Sequence, residues 1–455
     1  MSRHLLVGRL GVLDKAPVPQ GLAEVATELD LVASNKRLGH GLGDALHDLN
    51  KIGIFPPEIG VDLLALAALV HAADTRISRS RDSQDSWTRE IDISLPVSNV
   101  PKWQAASSLL VRMLNFLTGD RWSFSFRCRP EGFEAIAPVR PAQMELPKNH
   151  VLSLFSGGLD SLIGAIDLLE QNHVPLLISH AGEGATSDAQ SSCFRALDKQ
   201  YKSAEVKRFR VWMSFAKGLI PDTSAEDSTR GRSFLFFAIG AFAGSGVGGQ
   251  FQLRAPENGL IALNVPLDLL RLGSLSTRTT HPFYIARWND LLGALDIDGT
   301  VINPYWNRTK GEMVSECRNP TLLGSILPDS LSCSSPTKGR WLGHGTQHCG
   351  HCLPCLIRRA AIAAAFGTQP DPTVYTLATM NERILSTRRA EGRQVRSFQV
   401  ALNRLRAQPG VEKYLIHKAG PLSDVAGDIS DLAGVYARGL NEVGAILENV
   451  TTSSE

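Results

Sequence analysis

Short apolar runs alternate with stretches of helical period through the middle of the chain, and this alternation sets the expected fold class. VLSLF (151–155) leads through SGGLDS into an apolar-faced helix reaching Glu170. VPLLISH (174–180) precedes a helical stretch over 188–204, and VKRFRVWM (206–213) is the next strand. Strand and helix in turn predict right-handed crossovers, a parallel sheet, and ligands at the strand C-terminal ends. The apolar run 234–243 is about half the roughly 20 residues a membrane span needs, and it reads as a buried helix.

The flanks pattern differently. Before residue 147, VDLLALAALVHAAD (61–74) has helical period, WTREIDISLPV (87–97) alternates like a strand, 102–117 is an amphipathic helix and DRWSFSFR (120–127) is strand-like. Together these predict an accessory α+β domain over 1–147. The polar, proline-marked stretch 138–150 reads as a linker to a second domain over 148–360. From about Leu356 the pattern is helical nearly throughout, with a break at GTQPDP (367–372), which gives a helical region over 361–455. Only the terminal TTSSE reads as disordered.

A length of 455 residues, with 43% hydrophobic and 20% charged residues, suits a soluble protein of two or three packed units. The N-terminus makes a poor signal peptide, so a cytoplasmic location is expected. A formal net charge of +2 supplies no global field for nucleic acid or membrane binding.

The loop after VLSLF carries the sharpest chemistry. Ser156, Gly157 and Gly158 stand where a strand ends, and a helix is expected to begin at Leu162. Glycines let the backbone approach a ligand, while first-turn N–H groups and the helix dipole favour an anion, with phosphate the obvious occupant. The loop is neither G-x-G-x-x-G nor G-x-x-x-x-G-K-[ST]. The second constellation is Cys333, Cys349, Cys352 and Cys355, spaced C-x15-C-x2-C-x2-C. Four thiolates closing a tetrahedron imply a structural zinc, with iron–sulfur ligation or redox chemistry as alternatives. His344, His348 or His351 could replace one cysteine. The isolated Cys128, Cys193 and Cys317 read as small core residues.

SGGLDS resembles the pyrophosphatase loop (PP-loop) of the N-type ATP pyrophosphatases. The resemblance implies an adenine-nucleotide α-hydrolase-like parallel α/β domain whose loop holds departing pyrophosphate while a substrate oxygen attacks the α-phosphate of ATP. Ser156, Gly157, Gly158, Leu159, Asp160 and Ser161 carry that role over by position. With CGHCLPCLIRR (349–359), and with NRTKGEM (307–313) just upstream of most of the cysteines, the chain is similar to 7-cyano-7-deazaguanine synthase, that is, QueC-like. Lys310 then becomes the contact for charge building on the α-phosphate, against the simpler reading of a solvated lysine at a helix start. Asp160 and Lys310 are the implied catalytic pair, and ATP, Mg2+ and Zn2+ the implied cofactors.

The resemblance holds over about 151–359, and HAGEGATSDAQ (180–190) departs from the biosynthetic enzyme. The long flanks, with WTREIDISLPV, FLTGDRW, PENGLIALNVPL, STRTTHP and GPLSD, resemble QueC-like components of bacterial anti-phage defence. That resemblance implies adenylation of a 7-deazaguanine carboxylate and amide formation with the N-terminal amine of a partner protein from the same defence system. Ammonia as the amine, or a tRNA base as the substrate, are the alternatives.

Other polar residues are open to two readings. Arg230 and Arg232 could reach a phosphate bidentately or face solvent at a helix start. Glu257, Asn258 and Asn264 flank a short apolar run read as a strand, whose end could face a ligand or form a turn. Arg278 and His281 lie in the STRTTHP loop (276–282), which could hold a heterocycle or be a polar turn. The arginine-rich run 383–406 reads as a solvated surface, or as a contact for RNA or an acidic partner.

Overall fold

The computed structural model describes every residue except 1, 20–22, 34–36, 84, 145–149, 183, 269–277, 368–369, 425–426 and 455. Parts of the expected linker, Glu183 in the HAGEGATSDAQ stretch, and Ser276 and Thr277 of the STRTTHP loop lie outside the described residues.

Two wholly parallel sheets organise the fold. The first contains β1 (His4–Arg9), β2 (Val25–Asp30), β3 (Glu90–Val97) and β4 (Arg121–Cys128), in the order β2-β1-β3-β4. The second contains β5 (Val151–Leu154), β6 (Leu176–Ala181), β7 (Lys207–Trp212), β8 (Phe251–Arg254) and β9 (Gly299–Ile302), in the order β7-β6-β5-β8-β9. The protein is therefore α/β with parallel sheets. The N-terminal region is itself α/β where an α+β arrangement was expected, because the helices Glu58–Arg76 and Val100–Thr118 act as crossovers between parallel strands.

One hydrophobic core runs from Leu6 and Leu66 in the N-terminal region to Phe237 and Leu253 in the middle one. It is continuous because the helix Glu58–Arg76 packs on the helix Arg232–Ser245. A buried ion network reinforces the junction: Arg89 Nη2 lies 2.7 Å from Asp120 Oδ2 and 3.0 Å from Asp74 Oδ1, and Asp74 Oδ2 accepts the Gly231 amide at 2.7 Å. A second core gathers the C-terminal helices Ala390–Ala407 and Ile429–Leu447 around the short helix Gly259–Leu263.

Three further expectations are corrected. The PENGLIALN run is the helix Gly259–Leu263 and not a strand: Asn258 accepts the Ile261 amide with its side chain and Asn264 ends the turn in the left-handed region. The C-terminal tail is ordered at β11 (Thr452–Ser453), which pairs in parallel with β10 (Leu385–Ser386), so the last region also holds extended chain. Cys193 and Cys317 are buried as expected, but Cys128 is exposed at the end of β4. No helix among the described residues is long and apolar enough to cross a membrane.

Candidate functional site

The strand order reverses between β5 and β8: the chain runs outward from β5 to β6 and β7, then crosses back to β8. Loops leaving neighbouring strands at such a switch point diverge and open a crevice at their C-terminal ends. The loop 155–158 leaves β5, the segment 255–258 leaves β8, and 303–309 leaves β9.

The SGGLDS loop sits at that point. Its helix, Leu159–Glu170, begins three residues earlier than the apolar pattern suggested, so Asp160 and Ser161 stand in its first turn. Gly157 has φ +77°, and a Cβ there would lie 2.7 Å from the Gln190 amide nitrogen; both facts require glycine. Ser161 Oγ accepts the Ser156 amide at 3.2 Å, Ser156 Oγ accepts that of Gly158 at 3.3 Å, and Ser332 Oγ accepts that of Leu159 at 3.2 Å. Hydroxyls thus gather around the bend, each able to rotate aside for a stronger acceptor.

Three strand ends meet on one carboxylate. Lys310 Nζ lies 2.9 Å from Asp160 Oδ1, and Asn258 donates to Asp160 Oδ2 from its side chain at 2.8 Å and its backbone at 3.2 Å. Lys310 is buried, not a solvated helix-start residue. Its position follows from local sequence: Thr309 and Glu312 form a capping box at the start of the helix Lys310–Ser315. Glu442 of the C-terminal helix accepts the Thr309 hydroxyl and, at 3.2 Å, the Gly311 amide, bracing the same turn. Beside this pair, Asn303 accepts the Glu257 amide at 3.3 Å and donates to its carbonyl at 2.8 Å, while the Thr280 hydroxyl donates to Glu257 Oε2. Burial first, and the negative charge of Asp160 second, push the Glu257 carboxyl up to about 7, against the opposing effects of the Thr280 hydrogen bond and Lys310.

The four cysteines converge. The sulfurs of Cys333, Cys349, Cys352 and Cys355 all lie within 4.8 Å of one another, with Cys333 to Cys352 at 3.9 Å and Cys349 to Cys355 at 4.0 Å. A tetrahedral zinc with Zn–S bonds of about 2.3 Å separates its sulfurs by about 3.8 Å, so the group fits such an ion. Cys352 occupies the residue before the helix Leu353–Phe366 and Cys355 stands in its first turn, which explains the C-x2-C spacing. No histidine joins the group among the described residues: His348 Nε2 instead accepts the Ser332 amide at 3.1 Å, and burial lowers its pKa to about 3. The cysteine segment also touches the loop directly, since Leu331 donates its amide to the Gly157 carbonyl at 2.8 Å.

Other candidates lie elsewhere. Arg230 donates to the Thr118 carbonyl at 3.1 Å and stacks on Trp87 at 3.9 Å, facing the N-terminal region and not the loop. Arg232 lies over Phe236 at 5.4 Å and beside Gly182, just past the end of β6, next to the loop's own strand. Arg278 and His281 serve packing: Arg278 donates to the Phe116 carbonyl at 2.6 Å, and buried His281 accepts the Phe283 amide to cap the helix Pro282–Ala294. In the helix Ala390–Ala407, Arg393, Arg396 and Arg406 are exposed. Ser332 and Glu442 were not read as part of the site from the sequence. Adjacency to Cys333 was the one available signal for the first, and spacing offered none for the second.

These features define an α/β protein of parallel sheets, with a glycine-dependent strand-to-helix loop at its switch point and a four-cysteine group that could hold a metal such as zinc. No protein-family model matches the chain, and no curated protein matches it.

Proposed function

We propose that the chain is an AMP- and pyrophosphate-forming, ATP-dependent C–N ligase that adenylates the carboxylate of a 7-deazaguanine and passes the acyl group to an amine. The observation that carries the reading is the meeting of Asp160, Lys310 and the Ser156–Ser161 loop at one switch point. A bare carboxylate is a poor electrophile, so amide formation needs a leaving group. In the reaction, a carboxylate oxygen attacks the α-phosphate and pyrophosphate leaves into the loop, where first-turn amides and the hydroxyls of Ser156, Ser161 and Ser332 receive its charge. Lys310, held by Asp160, offsets charge on the α-phosphate. Magnesium would enter with the triphosphate and shield it. Zinc on the four cysteines would be structural, since four sulfur ligands leave no open position.

The layout resembles QatC, the QueC-like component of the Qat anti-phage defence system, and on that resemblance the amine is the N-terminus of a partner protein from the same system. The test is to incubate the chain with ATP, with and without 7-carboxy-7-deazaguanine. AMP and pyrophosphate that depend on the deazaguanine are expected; ADP and phosphate would end the proposal. Intact mass of a co-expressed partner protein then reads the acceptor.

A further inference from the structure

A cavity of about 650 Å³ lies between the helix Pro282–Ala294 and the end of β9. Its volume is in the range of small-ligand pockets. The walls are apolar at Ile285, Ala286 and Trp306. At its edge Asp290 and Asp424 both pair with Arg287, at 3.0 Å each, so two carboxylates face one guanidinium and the local balance is negative. Two further lining residues are shared with the candidate site. Thr280 donates to Glu257 Oε2, and Asn303 holds the Glu257 backbone at both its N–H and its carbonyl.

We propose that this cavity admits the primary amine of a peptide N-terminus and that Glu257 takes the proton the amine sheds during amide formation. The inference rests on the adenylation reading. The lone pair of the neutral amine attacks the acyl carbon and a C–N bond forms. The bond from that carbon to the phosphate oxygen breaks, AMP departs with its electrons, and one N–H proton passes to the Glu257 carboxylate. A negatively balanced rim draws a positively charged terminus inward, where it releases one proton to water to become the attacking neutral amine, and apolar walls suit a small first side chain. Besides Thr280 and Asn303, the charged groups bearing on Glu257 are Asp160 and Lys310. A carboxyl raised to about 7 is matched to an α-amine, whose pKa is ordinarily about 7.7–8.0, better than an unperturbed one.

The experiment follows both halves of the reaction in wild type, Glu257→Gln, Glu257→Asp and Ala286→Trp. ATP–pyrophosphate exchange with 7-carboxy-7-deazaguanine reads adenylation. Amide formation with triglycine reads transfer, and hydroxylamine, which needs less help losing a proton, reads transfer without a base. Glu257→Gln should lower triglycine transfer about 100-fold. That loss should exceed its effect on exchange and on hydroxylamine capture by at least about tenfold, and Glu257→Asp should restore part of the rate. The glutamine variant should lose the component of the pH dependence centred near 7 while keeping the rise from deprotonation of the amine itself at about 7.7–8.0. Ala286→Trp should raise the KM for triglycine about tenfold with less than about a twofold change in KM for ATP. Equal losses in exchange and transfer, as a structural or magnesium-holding Glu257 would give, overturn the proposal. So does a fully active Glu257→Gln, or an unchanged triglycine KM in Ala286→Trp. Absence of exchange in the wild type overturns the adenylation reading itself, a separate result.

Discussion

Lys310 Nζ stands 2.9 Å from Asp160 Oδ1 with both side chains largely withdrawn from water, although one belongs to the turn after β9 and the other to the helix after β5. A buried pair of this kind is easily broken and hard to replace, because either partner alone is a charge without compensation.

Lys310→Met and Asp160→Asn should therefore each cost about 3–5 kcal/mol of stability, while the double variant recovers most of it. Both single variants and the double should lose pyrophosphate exchange by at least about 100-fold, since the positive charge facing the α-phosphate is gone or misplaced. Denaturant unfolding with exchange assays checks both, and additive stability losses would contradict the coupling.

The two loop glycines should behave differently. Gly157→Ala forces a side chain into φ +77° and against the Gln190 backbone, so a loss of about 1–2 kcal/mol from the dihedral alone is expected, with more from the clash. Gly158 has φ −86°, and its nearest contact for a Cβ is Ser156 Oγ at 3.3 Å. Gly158→Ala should keep the melting temperature near wild type while raising the KM for ATP, because the methyl narrows the ligand's approach. Melting curves and exchange kinetics separate the two.

Metal analysis of the purified chain should find one zinc per molecule and a colourless protein; a brown protein would mean an iron–sulfur cluster. Cys355→Ser should lose the metal and unfold at lower temperature. Leu331 and Ser332 join this segment to Gly157 and Leu159, so partial removal with a chelator should also raise the KM for ATP before the whole fold is lost.

Glu257 makes stability depend on pH in a defined direction. Its carboxyl moves from 4.5 to about 7 on folding, so the folded chain keeps a proton that the unfolded chain has released between those values. Stability falls as pH rises through that window, and the loss is complete above it. Relative to wild type, Glu257→Gln should gain melting temperature from about pH 4.5 to 7 and level off beyond. A difference that does not change with pH would contradict a carboxyl whose proton affinity rises on folding.

Arg230 contacts Trp87 and Thr118, so Arg230→Ala should lower thermal stability and leave the KM for ATP near wild type. A large rise in that KM without a change in stability would place it back among the phosphate contacts.

Periodicity and composition alone were enough for β5, β6 and β7, for the helices Glu58–Arg76, Val100–Thr118 and Leu159–Glu170, and for the grouping of the cysteines. Each depends on neighbours a few residues apart: an apolar stripe, a glycine bend, a C-x2-C step onto a helix start. Local signals are weaker where the context is short, so the five-residue helix Gly259–Leu263 reads as a strand from its apolar run alone, and its caps at Asn258 and Asn264 are set by the fold. The parallel pairing of the N-terminal strands, the continuous core across residue 147 and the direction of Arg230 were decided by packing. The same holds for the central cluster: Asp160, Glu257 and Lys310 meet only because β5, β8 and β9 are neighbours in the sheet. Strand order is a property of the whole chain, paid in loop entropy and settled by burial, and no short stretch of residues encodes it.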